Sequence, residues 1–191
     1  MKKIAMTLLA VFSFTWAFAQ RGEATTGDSL QNSYPLPVFL EFGIGYTPRQ
    51  NGITSYYPSI TAGYEVINRV SVFYSHEWDL MLNRNKDKRY EWSKMMGGGL
   101  SYRFVGMSLK QSATHRASNA VDVRAYVTTT YGKVDVKHTD YNLKFVNYVY
   151  RGKGALLTAN MYIGLGYKYI DSHTEGIKNS HNFYAELGVR F

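Results

Sequence analysis

The chain has 191 residues, a formal net charge of +8, no Cys, and an unusual share of Tyr (17), Gly (17) and Phe (10). That length suits one domain, and the absence of Cys rules out a small secreted fold held by disulfides. Mean hydropathy is −0.29, and no internal apolar run approaches the ~18 residues of a membrane-spanning helix. What remains is a soluble β-sandwich or a membrane β-barrel, both of which spread their apolar content through alternation.

"MKKIAMTLLAVFSFTWAFAQ" pairs Lys2 and Lys3 with an apolar run and closes on Ala17-Phe18-Ala19. This is a signal-peptide pattern over 1–19, too short for the ~20 residues of a spanning helix. No Cys follows the small residues, so a lipoprotein anchor is not expected. Losing the two signal lysines takes the net charge from +8 to +6. Residues 20–36, polar, with Pro35 near their end and Pro37 directly after them, read as a flexible periplasmic lead. The barrel domain is expected over 37–191.

From Val38 the chain alternates. Val38, Leu40, Phe42, Ile44 and Tyr46 share a face opposite Glu41, Gly43 and Gly45. "PRQNGITS" reads as a loop. Ile60, Ala62, Tyr64 and Val66 then oppose Ser59, Thr61, Gly63 and Glu65, and Asn68-Arg69 makes a tight turn. Val70, Val72, Tyr74 and Trp78 oppose Ser71, Phe73, Ser75, Glu77 and Asp79. The charged "NRNKDKR" separates this strand from the next, where Trp92, Met96, Leu100, Tyr102 and Phe104 oppose Gly97, Gly99, Ser101 and Arg103.

"SLKQSATHRASN" is a long polar connection. Val121, Val123, Ala125 and Val127 then oppose Asp122, Arg124, Tyr126 and Thr128, and the hairpin is expected to run through "KVDVK" to a turn at "HTDYN". "LKFVNYVY" is a strand whose phase the residues leave open, and "RGKG" is a tight turn. Leu157, Ala159, Met161, Ile163, Leu165, Tyr167 and Tyr169 oppose Thr158, Asn160, Tyr162, Gly164, Gly166 and Lys168. After "DSHTEGIKNS" comes "NFYAELGVRF", with Phe183, Ala185, Leu187, Val189 and Phe191 on one face and Asn182, Tyr184, Glu186 and Arg190 on the other.

The polar parity carries Glu41, Glu65, Glu77, Asp79, Asp122 and Glu186 against Arg103, Arg124, Lys168 and Arg190. Opposite charges in comparable numbers suit a narrow interior in which they pair. The apolar parity carries aromatics near both strand ends: Tyr46, Trp78, Trp92, Tyr131, Tyr167 and Tyr169 at one, Tyr102, Phe104 and Phe191 at the other. Such girdles favour a membrane barrel over a soluble one. The expected fold is therefore all-β, an eight-stranded antiparallel up-and-down transmembrane β-barrel. Its C-terminus would be periplasmic, with "PRQNGITS", "NRNKDKR", "HTDYN" and "DSHTEGIKNS" outside. Two charge layers are expected. Glu65, Arg103, Asp122, Arg124 and Arg190 lie toward the periplasm and Glu77, Asp79 and Lys168 toward the outside, with Glu41 and Glu186 between.

With its signal pattern, strand pattern and terminal Phe191, the segment from Val38 to Phe191 resembles the small eight-stranded outer-membrane barrels of Gram-negative bacteria, the OmpA- and OmpX-type family. The resemblance implies outer-membrane location, outer-membrane lipids and lipopolysaccharide as surroundings, and Phe191 as part of a signal for the barrel-assembly machinery. A monomer is expected. Eight strands leave an interior that side chains fill, so an open solute pore is not expected.

Nucleic acid is an implausible partner for an exported barrel. Lipopolysaccharide is the local polyanion, and Arg84, Lys86, Lys88 and Arg89 in the "NRNKDKR" loop are its candidate contacts. The leading functional reading is a non-enzymatic envelope protein, structural or surface-interacting, with a plugged lumen. The alternative is a lipid A-modifying barrel enzyme, a deacylase or acyltransferase, which needs a catalytic His. Ser75-His76-Glu77 cannot converge, because neighbouring strand residues point to opposite faces. "HRASNA" departs by one residue from the deacylase pattern it resembles and maps to the periplasmic side. Asp171, Ser172 and His173 share a loop but lack the leading amphipathic helix of the acyltransferases. No catalytic residue is assigned. No His or Cys cluster has metal-ligand spacing and no glycine loop cradles phosphate, so neither metal nor cofactor is expected.

Overall fold

A computed structural model of the chain describes residues 37–48, 53–83, 90–106, 120–149 and 160–191. Within them lie eight strands: β1 (Val38–Pro48), β2 (Ile53–Ile67), β3 (Val70–Asn83), β4 (Tyr90–Val105), β5 (Ala120–Thr130), β6 (His138–Val149), β7 (Asn160–Ser172) and β8 (Ser180–Arg190). They close in sequence order into a barrel, each antiparallel to the next, with β8 returning to β1. The β1–β8 seam has the shortest register of the eight, from Glu41↔Arg190 to Tyr46↔Ala185. Phe191 lengthens it: its N–H donates to the Leu40 carbonyl at 2.8 Å, and Leu40 N–H donates back at 3.2 Å.

The two-residue period sorts side chains to opposite sides of the wall. Outside, Phe183 is 76% exposed, Ile44 69% and Phe104 67%; inside, Arg124 is 0% and Lys168 1%. The apolar side chains face out and the charges face in, the reverse of a soluble barrel and the order that lipid demands.

Both chain ends of the barrel and the Asn68–Arg69 turn lie at one rim, the terminal end. The β1–β2, β3–β4, β5–β6 and β7–β8 connections lie at the other, the loop end. Arg69 takes a left-handed φ of 68° in this turn, next to a register shift between Glu65 and Ile67 on β2. Its carbonyl accepts Arg103 N–H at 2.8 Å.

Several expected boundaries move. Pro48, Ile53, Thr54 and Ser55, read as loop, belong to β1 and β2, Asn83 to β3, and Asp171-Ser172 and Ser180 to β7 and β8. "HTDYN" is not a turn: it opens β6, and the chain reverses over 131–137 instead. The reason lies in pairing. Thr129↔Thr139 and Asp140↔Ile170 put these polar residues in register on both sides, so ladder hydrogen bonds outweigh their turn propensity. The expected 1–19 and 20–36 segments lie outside the described residues, as do "SLKQSATHRASN" and "RGKG".

Candidate functional site

The lumen is built from the inward parity of every strand. Buried there are eight acids (Glu41, Glu65, Glu77, Asp79, Glu91, Asp122, Asp140, Glu186), five bases (Arg103, Arg124, Lys144, Lys168, Arg190) and His138. Buried charge is tolerable only when paired and hydrogen-bonded, and the barrel arranges these groups in three levels.

At the terminal end Glu41 is the hub. Arg124 grips its two oxygens with a pair of 2.7 Å bonds, Arg190 Nε donates at 2.7 Å, and Tyr148 OH donates at 2.8 Å. Arg124 also bonds the Tyr148 oxygen. Arg190 reaches on to Asp122 at 3.4 Å, and Asp122 accepts a bidentate pair from Arg103 at 2.7 and 3.3 Å. The guanidiniums stack on aromatic faces: Arg190 lies 4.1 Å from the Phe39 and Tyr148 centroids, and Arg124 5.2 Å from Phe73. Glu65 is buried at the same end and accepts from Arg69 N–H at 3.4 Å. Glu41 was expected between the layers. It joins the terminal one because the β1–β8 register sets it directly opposite Arg190.

At mid-height Glu186 accepts from Tyr162 OH at 2.6 Å and Lys144 Nζ at 3.1 Å. Above it, the Tyr126 and Tyr184 hydroxyls meet at 3.0 Å. Lys168 Nζ sits 4.8 Å from the Tyr57 ring and 5.1 Å from that of Tyr184.

Toward the loop end Lys168 bonds Asp140 at 3.2 Å, and Asp140 accepts from His138 Nδ1 at 2.6 Å. His138 Nε2 faces Ser93 Oγ at 3.4 Å and Asp79 at 3.9 Å, and Ser55 donates to Asp79. Glu77 and Glu91 are buried in the same lumen. Lys168 shares this level with Glu77 and Asp79 and bonds Asp140, which sequence reasoning had placed in a turn. Over this level lies a small apolar plug, where Val136 of the β5–β6 loop packs on Met81 with Ile177 of the β7–β8 loop alongside.

All ten charged residues read into the lumen from sequence therefore point inward. Sequence reasoning missed Glu91, His138, Asp140 and Lys144. Three of these lie on β6: Lys144 in the stretch whose phase the residues left open, His138 and Asp140 in the segment read as a turn. The signal was present but faint: His138, Asp140, Asn142 and Lys144 share one parity, opposite Tyr141, Leu143 and Phe145.

Ser93, His138 and Asp140 follow the order of a nucleophile–base–acid relay. Ser93 is 0% exposed, however, and on the lumen side of the wall, so an acyl chain in the bilayer does not reach its oxygen. The other histidine sets fall apart. His76 points outward to Tyr74 and Tyr131 while Ser75 and Glu77 point inward. His173, on the exposed β7–β8 loop, pairs with Thr139 at 3.1 Å. His115 lies outside the described residues, as do Arg84, Lys86, Lys88 and Arg89. Phe191 caps the β1–β8 seam, its ring edge-on to Phe42 at 6.0 Å.

No protein-family model matches the sequence, and a sequence search finds no curated relative. Among solved structures, Neisserial surface protein A is similar, with a TM-score of 0.52 over 80% of this chain and 94% of that one, at 17% identity. This likeness and the closed antiparallel sheet establish the fold as that of the small eight-stranded outer-membrane β-barrels.

Proposed function

We propose that the chain is a non-enzymatic outer-membrane protein whose ion-paired lumen is closed to solutes and whose role is structural or surface-directed. The observation that carries this reading is the combination of an apolar outer wall with a lumen crossed at three levels by side-chain bonds. A barrel that spent its interior on Glu41–Arg124–Arg190 and Asp140–Lys168 has filled the space a pore would need. In this reading residues 1–19 are the signal peptide, 20–36 a periplasmic lead, and the loop end faces outward. Phe191 takes part in recognition by the assembly machinery, and the barrel works as a monomer. Arg84, Lys86, Lys88 and Arg89 meet the anionic headgroups of lipopolysaccharide from the β3–β4 loop.

The second reading, a lipid A-modifying enzyme, draws on the Ser93–His138–Asp140 order, and the burial of Ser93 on the lumen side weighs against it. Fractionation of cells expressing the chain tests the main reading. Folded protein is expected in the outer membrane, with a mobility shift on heating and no steady conductance in planar bilayers. Recovery as a detergent-independent periplasmic protein would overturn it. Mass spectrometry of lipid A from cells with and without the chain is expected to give identical species; a changed acyl count would favour the enzyme.

A further inference from the structure

The β5–β6 and β7–β8 loops, residues 131–137 and 173–179, are bonded both to the barrel and to each other. Tyr131 N–H donates to the Lys94 carbonyl at 3.0 Å. Asp135 N–H donates to the Trp92 carbonyl at 3.2 Å, and its carboxylate accepts Trp92 N–H at 3.3 Å. The first loop thus continues the ladder along β4. Lys137 N–H donates to Thr174 Oγ1 at 2.7 Å, while the Lys137 carbonyl accepts His173 N–H at 2.8 Å and Thr174 Oγ1 at 3.2 Å. The second loop is fastened to the first by these three bonds. Asp135 and Lys137 face solvent, but Val136 between them is 3% exposed and rests on Met81, with Ile177 beside it.

Beneath this apolar stopper the loop half of the lumen is incompletely bonded. Among the described residues five buried side-chain atoms have no hydrogen-bond partner, and three of them are hydroxyls of this half: Thr47, Tyr57 and Thr128. The other two are nitrogens of Arg124 and Arg190, whose guanidiniums already bond Glu41. The Glu77 carboxylate, with Lys168, Glu186, Asp140 and Lys144 around it, receives no hydrogen bond from a described residue. Buried polar groups in this condition are stabilised by water. The stopper favours closure and the groups under it favour wetting, and two opposed tendencies of this kind make a two-state element.

We propose that the two loops form a single cap, with Val136 as its stopper, which opens to admit water and small hydrophilic solutes to the loop half of the lumen. The vestibule it guards ends at the Glu41–Arg124–Arg190 hub, so opening the cap gives no path across the barrel. The inference rests on the closed-lumen reading and adds a moving part to it. Asp135 and Thr174 hold the cap down from its two sides, one against β4 and one between the loops.

The chain has no Cys, so single thiols report cleanly. T128C replaces an unpartnered hydroxyl under the cap, and S101C stands in the terminal half, opposite Arg124 in register. Each, in the full chain folded in neutral detergent, would be treated with a small cationic methanethiosulfonate and its labelling followed by mass spectrometry. T128C is expected to label slowly. Adding V136S should speed it by roughly tenfold to a hundredfold, the shift in opening that follows from forfeiting one buried valine. Adding D135A/T174A, which cuts the cap's ties without touching the stopper, should also speed it, while V136I leaves it slow. S101C should stay unlabelled in every background. The heat-dependent mobility shift reports folding throughout. Folded V136S and D135A/T174A variants in which T128C labels no faster overturn the cap and leave the closed lumen standing, as does T128C labelling at the rate of an exposed thiol before any cap variant is added. S101C labelling as fast as T128C overturns the closed-lumen reading itself.

Discussion

Replacing Arg124 by Ala will destabilise the barrel by about 4 kcal/mol, a figure assembled from its contacts. The guanidinium is fully buried and supplies two of the bonds on Glu41. Removing one partner of a buried ion pair costs ~3–5 kcal/mol, because the other charge is stranded. Here Glu41 keeps Arg190 and Tyr148, which places the electrostatic loss at the lower end of that range. Loss of the contacts with the Phe39 and Phe73 rings adds ~1–2 kcal/mol. Arg124→Lys should fall between, since an ammonium cannot repeat the bidentate grip. The assay is urea unfolding of the chain in lipid vesicles, followed by Trp fluorescence; Trp78 and Trp92 lie on the outer wall and report insertion. A cycle with Glu41→Gln and Arg124→Met separates pairing from packing. The double variant should lose less than the sum of the singles, because neither charge is then stranded by the other's removal. A loss below ~1 kcal/mol for Arg124→Ala, the range of an exposed pair, or strict additivity in the cycle, would refute the hub role of Glu41.

Deleting Phe191 should reduce assembled barrel in outer-membrane fractions, because it removes the last bonded pair and the Phe42 ring contact from the shortest seam; unchanged membrane levels would count against this. Gly97→Ala should cost ~1–3 kcal/mol in the same unfolding assay, since a Cβ there meets the Val127 carbonyl and Thr128 backbone, which no rotamer change relieves. Gly164→Ala should be milder, its Cβ meeting Lys144 Cδ at 3.2 Å and Glu186 Cβ at 3.6 Å, both side-chain atoms; the reverse order would show that the strand backbones yield more easily than argued. Replacing Arg84, Lys86, Lys88 and Arg89 by Gln should weaken salt-sensitive association with lipopolysaccharide while the barrel stays folded. Equal binding at low ionic strength, where exposed charges act most strongly, would remove that loop from the interaction.

The strand count, the inside-out polarity and the inward parity of Glu41, Arg124 and Arg190 were legible along the chain, because a strand's period is two and needs only neighbours in sequence to be read. β6 escaped this reading. It buries Val146 and Tyr148 beside His138, Asp140 and Lys144, and leaves Thr139 half-buried and Asn147 exposed beside Leu143 and Phe145. Its two faces differ little in polarity, and only registration against β5 and β7 chooses between them. Partner choice escaped it as well. Glu41 finds Arg124 across 83 positions and Arg190 across 149, and Lys168 takes Asp140, the acid that β6 carries into the lumen. Parity is a local property of the backbone. The stagger between strands, which sets the level at which each side chain enters the lumen, arises only when β8 pairs with β1 and the sheet closes.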